Sequence, residues 1–373
     1  MKYYIIAGEA SGDLHGSNLI KEIRKLDTDA EIRSWGGDKM EAEGATLAMH
    51  YRDLAFMGFA EVVKNLPAIF KNIAFCKRDI SKFKPDVVVL INYSAFNLRI
   101  AEWTRKNNFR NVFYISPQVW AWKESRVKSI KKFVDKMIVI LPFEKAFYDT
   151  WSYDVEYVGH PLVQVVDNFK ADHPEIHPSF NMVALLPGSR KQEIRKKLPV
   201  MLEATKNFPT INFALAKAPS IDDSFYESFL ANYKNVEVVS NGTYELLMKA
   251  SAALVTSGTA TLETALFGVP EIVCYKAGNI SYQIGKRLIK LKFISLVNLI
   301  MNREVVKELI QDKLNAENIT KELNDILYDP VKREKMQFDY YLLRKQLFEG
   351  GNASAKAAKI IVESLGKTGS YVT

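Results

Sequence analysis

The chain reads as an α/β protein of two tandem units, each a parallel sheet covered by helices on both faces. Three observations predict this. Short, almost continuously apolar runs alternate with stretches of helical period, the series stops and restarts after a proline-bearing segment, and 373 residues exceed one ordinary core.

The first series of strand-like runs is Tyr3 to Ala7, Asp86 to Ile91, Val112 to Ile115 and Met137 to Leu141. Gly159-His160-Pro161 and a polar stretch with His173-Pro174 and His177-Pro178 then interrupt the pattern and predict a hinge. The second series is Met182 to Leu186, Ile211 to Ala216, Val236 to Val239, Ala252 to Val255 and Glu271 to Tyr275. From about Val331 come two amphipathic stretches, one with Leu342, Leu343 and Leu347, the other with Ala357, Ile360, Ile361 and Leu365. Terminal helices of this kind brace a neighbouring surface, here the first unit or another subunit.

Hydrophobic and charged contents of 48% and 25% are those of a soluble globular protein. With 51 Lys and Arg against 43 Asp and Glu, the formal charge of +8 points to an anionic partner: nucleic acid, nucleotide phosphates or an acidic membrane surface. Cys76 and Cys274 match no metal or redox spacing and are expected as buried free thiols in a reducing cytoplasm. The apolar residues after Met1-Lys2 are too few for a signal-peptide core, and no run approaches the ~20 residues of a membrane span. A cytosolic protein, free or attached to a surface, is expected. The five histidines have no partners at metal-ligand spacing, so no metal is expected.

The turn after the first strand, Ala7 to Asp13, carries two glycines, Gly8 and Gly12, beside Glu9, Ser11 and Asp13. It is not a dinucleotide fingerprint, because GxGxxG is absent and two carboxylates repel a pyrophosphate. Its groups suit a sugar hydroxyl instead. In the second unit, Gly188, Ser189 and Arg190 close the first strand and lead into Lys191, Arg195, Lys196 and Lys197. Backbone N–H groups, a hydroxyl and a guanidinium there fit a diphosphate; the plain alternative is a strand-to-helix turn on a solvated basic face. Ser257, Gly258 and Thr259 repeat the pattern after a later strand, and Glu263 one helical turn on can accept both ribose hydroxyls. Alternatively Ser257 is a helix cap and Glu263 a helix-dipole carboxylate. Both turns together converge on a nucleoside diphosphate.

Two aromatic segments are ambiguous by themselves. Trp120 and Trp122 can stack on a sugar, line an acyl groove or simply fill a core, and the lysines that follow match no recognised nucleic-acid motif. The stripe Phe59, Val62, Val63, Leu66, Ile69 and Phe70, interrupted by Pro67, is either a core helix or an apolar patch that docks on a bilayer.

Six motifs in sequence, AGEASGD (7–13), SPQVWAW (116–122), LPFEKAFY (141–148), LLPGSR (185–190), SGTATLE (257–263) and SLVNLI (295–300), resemble the lipid-A-disaccharide synthase family, glycosyltransferase family 19. The resemblance implies a GT-B architecture, two Rossmann-like domains with parallel sheets facing a cleft and C-terminal helices packing back. Residues 1–165 become the acceptor and membrane-side domain, 166–335 the UDP-sugar domain, and 336–373 the helices returning to the first domain or to a partner subunit.

It also implies an inverting reaction. UDP-2,3-diacylglucosamine and 2,3-diacylglucosamine 1-phosphate give a β-1′,6-linked disaccharide 1-phosphate and UDP, without metal or other cofactor. UDP falls to Gly188, Ser189, Arg190, Ser257, Gly258, Thr259 and Glu263, while Glu9, Ser11 and Asn298 match residues the family needs for activity. The acylated substrates turn Phe59 to Phe70 into a membrane contact on the inner face of the inner membrane. No nucleic acid is expected, and a homodimer is an open expectation.

One position departs from the pattern. Asn92 stands where the family carries the aspartate favoured as general base, and Ala95 stands where many relatives carry another. An amide cannot take the proton, so the chain either uses another carboxylate, Glu9 or Asp13, or turns over slowly. Two other readings stand beside this one: a GT-B-fold UDP-N-acetylglucosamine 2-epimerase, and a nucleic-acid-binding α/β protein.

Overall fold

The computed structural model describes residues 1–54, 66–219, 221–278, 291–349 and 351–366. They form two compact units, Met1–Pro161 with the described residues from Leu347 onward, and Leu162–Gln346.

Unit 1 contains strands β1 (Lys2–Ala7), β2 (Glu31–Gly36), β3 (Thr46–His50), β4 (Val87–Ile91), β5 (Asn111–Tyr114), β6 (Lys136–Val139) and β7 (Glu156–Tyr157). They make one all-parallel sheet in the order β3-β2-β1-β4-β5-β6-β7. The order reverses between β1 and β4, and the loops leaving those strands diverge at their carboxyl ends, the place where open α/β sheets bind ligands. Register fixes the detail: Ala7 lies beside Ile91, so the segments beginning at Gly8 and Asn92 emerge side by side. Both strands have no exposed side chain from Tyr3 to Ala7 and from Val87 to Ile91, which accounts for their continuous apolar sequences.

The helices of this unit are α1 (Ala10–Leu26), α2 (Asp38–Ala42), α3 (Leu66–Phe83), α4 (Ser94–Lys106), α5 (Val119–Trp122), α6 (Val127–Phe133) and α7 (Pro142–Asp149). Pro67 falls in the first turn of α3, where its missing N–H leaves no helical bond unmade. Below it, Ile73, Cys76 and Ile80 enter the core, each isoleucine contributing ~1.5–3 kcal/mol by burial. Asp79 on the same helix holds Arg33 of β2 through two bonds of 2.7 and 2.9 Å.

Unit 2 repeats the topology. Its strands β8 (Met182–Leu186), β9 (Asn212–Lys217), β10 (Val236–Ser240), β11 (Ala252–Thr256), β12 (Glu271–Tyr275) and β13 (Lys307–Ile310) pair in parallel in the order β10-β9-β8-β11-β12-β13. Here the reversal falls between β8 and β11, with Leu186 beside Val255. Its helices are α8 (Pro161–Asp172), α9 (Lys191–Thr205), α10 (Asp223–Leu230), α11 (Thr243–Lys249), α12 (Thr259–Phe267), α13 (Leu296–Met301), α14 (Ala316–Tyr328) and α15 (Pro330–Phe348). Asp339 and Asp167 fasten α15 through Arg303 and Arg344, with bonds of 2.6–2.8 Å. The final helix, α16 (Ala353–Gly366), belongs to unit 1, packs on α1 and buries Ala353, Ala357, Ala358, Ile361 and Leu365.

Both cysteines are buried free thiols. Among the described residues no helix is long and apolar enough to cross a membrane.

Candidate active site

At the β1–β4 reversal of unit 1, Gly8 and Glu9 bridge the strand to α1, Glu9 in extended conformation at φ −156°. A Cβ on Gly8 would stand 2.4 Å from the Tyr93 ring, so only glycine lets the two segments run this close. Asn92 and Tyr93 both lie in the left-handed region, at φ 45° and 44°, which turns the chain sharply out of β4. The buried Asn97 amide holds that turn by donating to the carbonyls of Ile91 and Asn92 at 3.2 and 3.0 Å.

The result is a single held carboxylate. Asn92 Nδ2 donates to Glu9 Oε1 at 2.5 Å and Ser11 Oγ donates to the same oxygen at 3.0 Å. Glu9, Ser11 and Asn92 thus come together, with the amide serving as a donor to the acid. Asp13 does not join them. It is buried, and its carboxylate accepts from the backbone N–H groups of Gly37, Met40 and Lys39 at 2.8, 3.1 and 3.2 Å. It caps α2.

The SPQVWAW and LPFEKAFY motifs meet one strand further along. Trp120 Nε1 donates to Glu144 at 3.3 Å, and Glu144 also accepts from the backbone of Ile140 and Leu141 at 3.2 and 2.9 Å. Burial pushes the Glu144 carboxyl up to about 7. Trp120 therefore belongs to a brace, whereas Trp122 is 51% exposed with the Arg126 guanidinium 4.7 Å above its ring.

In unit 2 the reversal carries a different set of groups. Gly188 sits at φ +122° and Gly258 at φ +147°, conformations side chains rarely adopt. A Cβ at Gly188 would meet Glu193 Oε2 at 2.6 Å, while none would be obstructed at Gly258, whose turn is open. Ser189, Arg190, Gly258 and Thr259 are exposed, and Ser257 is half-buried with its hydroxyl donating to the Ile294 carbonyl at 2.8 Å. Arg190 lies 3.4 Å from Glu193. Glu263 accepts from Tyr244 Oη at 2.7 Å, and burial raises its carboxyl pKa.

Two residues here escape a reading of the sequence. Lys197, which the sequence places in a basic helix start without marking it apart from its neighbours, is 3% exposed and donates to Thr256 Oγ1 at the end of β11. Its seven-residue offset from Arg190, about two turns of helix, is the signal that could have found it. Glu308 on β13 accepts from Ile294 N, Ser295 N, Ser295 Oγ and Asn298 Nδ2 at 2.8–3.1 Å, and nothing in its local sequence marks it.

Asn298, which matches a residue the family needs for activity, lies inside unit 2. Its amide is fully buried, with Nδ2 donating to Val306 O and Glu308 at 2.8 and 2.9 Å and Oδ1 accepting from Val305 N and Val306 N at 2.7 and 3.0 Å. Every amide valence is filled inside the protein, so Asn298 positions the segment that receives the Ser257 bond.

Of the apolar stripe, Phe59, Val62 and Val63 lie outside the described residues, as does the Leu66 side chain. Ile69 is half-buried against the core, and Phe70 is 57% exposed with the Arg99 guanidinium 5.6 Å over its ring. Among the described residues no group of three or more His, Cys, Asp or Glu is placed to hold a metal ion.

A family model described as Lipid-A-disaccharide synthetase matches residues 3–362. The lipid-A-disaccharide synthase of Geobacter metallireducens is 39% identical over 373 residues, 97% of each chain. That of Syntrophus aciditrophicus is 40% identical over 364 residues, 95% of each. Among solved structures, the glycotransferase of kitacinnamycin has a TM-score of 0.67 at 13% identity, covering 98% of this chain and 99% of its own. UDP-GlcNAc 2-epimerase from Neisseria meningitidis, bound to UDP-GlcNAc, has 0.62 at 16%, covering 99% and 100%. At these identities the structural likeness concerns the fold, the GT-B arrangement of two parallel-sheet units.

Proposed function

Because the chain belongs to the lipid-A-disaccharide synthase family, we propose that it joins UDP-2,3-diacylglucosamine to 2,3-diacylglucosamine 1-phosphate, releasing UDP. The observation that carries the mechanism is the Glu9 carboxylate held by Asn92 and Ser11 at a sheet reversal. Glu9 removes the proton of the acceptor 6-hydroxyl. The hydroxyl oxygen forms a bond to the donor C1 as the bond from C1 to the diphosphate oxygen breaks, and UDP departs with that electron pair. One displacement inverts C1.

Asn92 is then a positioning residue, fixing the carboxylate through a donor that ionised Glu9 can accept. The open turns at Gly188 and Gly258, with Ser189 and Arg190, are assigned to the diphosphate, and Glu263 to the ribose. Support for the nucleotide half comes from two glycine turns at the reversal point of one sheet. The epimerase alternative shares the fold at low identity and lacks the family match.

Incubation of the protein with both acylated glucosamines tests the reading: UDP and a disaccharide 1-phosphate are expected in equal amounts. Release of an epimerised hexosamine, or no UDP, would overturn it. We further assign Ile69, Phe70 and the preceding apolar residues to contact with the inner face of the inner membrane. Vesicles containing anionic lipid are expected to retain the protein and Phe70→Glu to weaken retention; unchanged retention would remove Phe70 from the contact.

A further inference from the structure

Lys197 is the one buried lysine that the geometry ties to both turns of unit 2 among the described residues. Its ammonium donates to Thr256 Oγ1 at the end of β11 and stands 3.5 Å from the point a Cβ on Gly188 would occupy. It is therefore directly beneath the β8–α9 turn. Its carboxylate neighbour is Glu193, 3.9 Å away, and Glu193 also faces Arg190 at 3.4 Å. Lys197 and Arg190 thus face the same carboxylate.

That arrangement pairs the Lys197 ammonium only weakly. Burying an ammonium carries a penalty of several kcal/mol unless an opposite charge meets it closely, and a hydroxyl with a carboxylate at 3.9 Å is weak compensation. Burial is the largest influence on Lys197 and lowers its pKa, with Glu193 opposing and Arg190 adding to the shift. By contrast, the half-buried Arg33 is closed by a two-bond contact with Asp79.

We propose that Lys197 is a binding residue for the nucleoside diphosphate, supplying positive charge from beneath the Gly188 turn while Arg190 supplies it from the solvent side. This rests on the assignment of UDP to unit 2. The charge counts for more where bound phosphates displace the water that would screen it. It favours the departing diphosphate over a monophosphate, since the second phosphate adds the charge that Lys197 meets.

The test uses the full chain, with UDP and UMP titrated into wild type, Lys197→Met and Lys197→Gln, and with melting temperatures measured without ligand. Lys197→Met removes the charge and the Thr256 bond; Lys197→Gln removes the charge and keeps a donor. Both are expected to bind UDP about tenfold to a hundredfold more weakly, with the UDP-over-UMP preference narrowed. The melting temperature of the methionine variant stays level or rises, because a buried charge has gone. Equal UDP affinity in either folded variant, or equal losses for UDP and UMP that follow a lower melting temperature, would overturn the inference. If wild type itself binds no UDP, the assignment of the nucleotide to unit 2 fails first, which separates the two failures.

Discussion

The two sheets share one strand order, yet their reversal points are furnished in opposite ways. Between β1 and β4 the chain places Glu9 with two donors aimed at one of its oxygens. Between β8 and β11 it places positive-φ glycines, hydroxyls, Arg190 and the buried Lys197. The topology provides the place and the side chains differ: a held carboxylate in unit 1, proposed to take a proton, and cationic, glycine-opened turns in unit 2, proposed to cradle a leaving anion.

Breaking each side separately should give different symptoms. The largest effect is expected from Glu9→Gln, which should lower kcat about a hundredfold to ten-thousandfold with UDP affinity intact. Parallel losses in kcat and UDP binding would blur the division between the units. Next, Arg190→Ala should raise the Kd for UDP about tenfold to a hundredfold and leave the melting temperature nearly unchanged, since Arg190 is exposed. An unchanged Kd would move the diphosphate away from this turn.

Asp13→Asn sharpens the comparison by testing a carboxylate beside the site that is assigned to structure. It should cost ~1–2 kcal/mol of stability through the weakened cap of α2, with kcat per folded molecule close to wild type. A catalytic collapse at full stability would restore Asp13 as a base. A further effect concerns pH. Glu144 is raised to about 7 from a reference of 4.5, so the folded state holds its proton more tightly than the unfolded chain. Its contribution to stability is therefore full below the unfolded value and is lost as pH rises to about 7. The stability difference between wild type and Glu144→Gln should shift against wild type across that window; a flat difference would show that burial does not act as described.

Central strands were legible because they are apolar on both faces: β1, β4 and β11 are unbroken runs. β3, β7 and β13 were not, because they sit at sheet edges and bury only part of their surface, leaving mixed sequences such as Lys307–Ile310. β2 was hidden by Arg33, whose charge is answered by Asp79 from a distant helix. The site divides in the same way. Turn residues Gly8, Glu9, Gly188 and Gly258 announce themselves by type and position, whereas the tasks of Asp13, Lys197 and Asn298 depend on partners outside their own local segments, Asp13 and Lys197 on distant ones. A carboxylate, an ammonium and an amide look equally available in sequence; Gly37, Thr256 and Val306 determine that each is engaged.

Asn92 is where the account is most exposed. If Glu9 is the base and Asn92 its donor, Asn92→Asp sets two carboxylates within hydrogen-bond reach, and one must keep a proton. The pH–rate profile of Asn92→Asp with both acylated substrates tests this most directly: the account predicts no gain over wild type at neutral pH and an acidic limb moved to higher pH. A gain of about a hundredfold at neutral pH, the scale of a positioned base, would contradict it and make residue 92 the base position that asparagine has left silent.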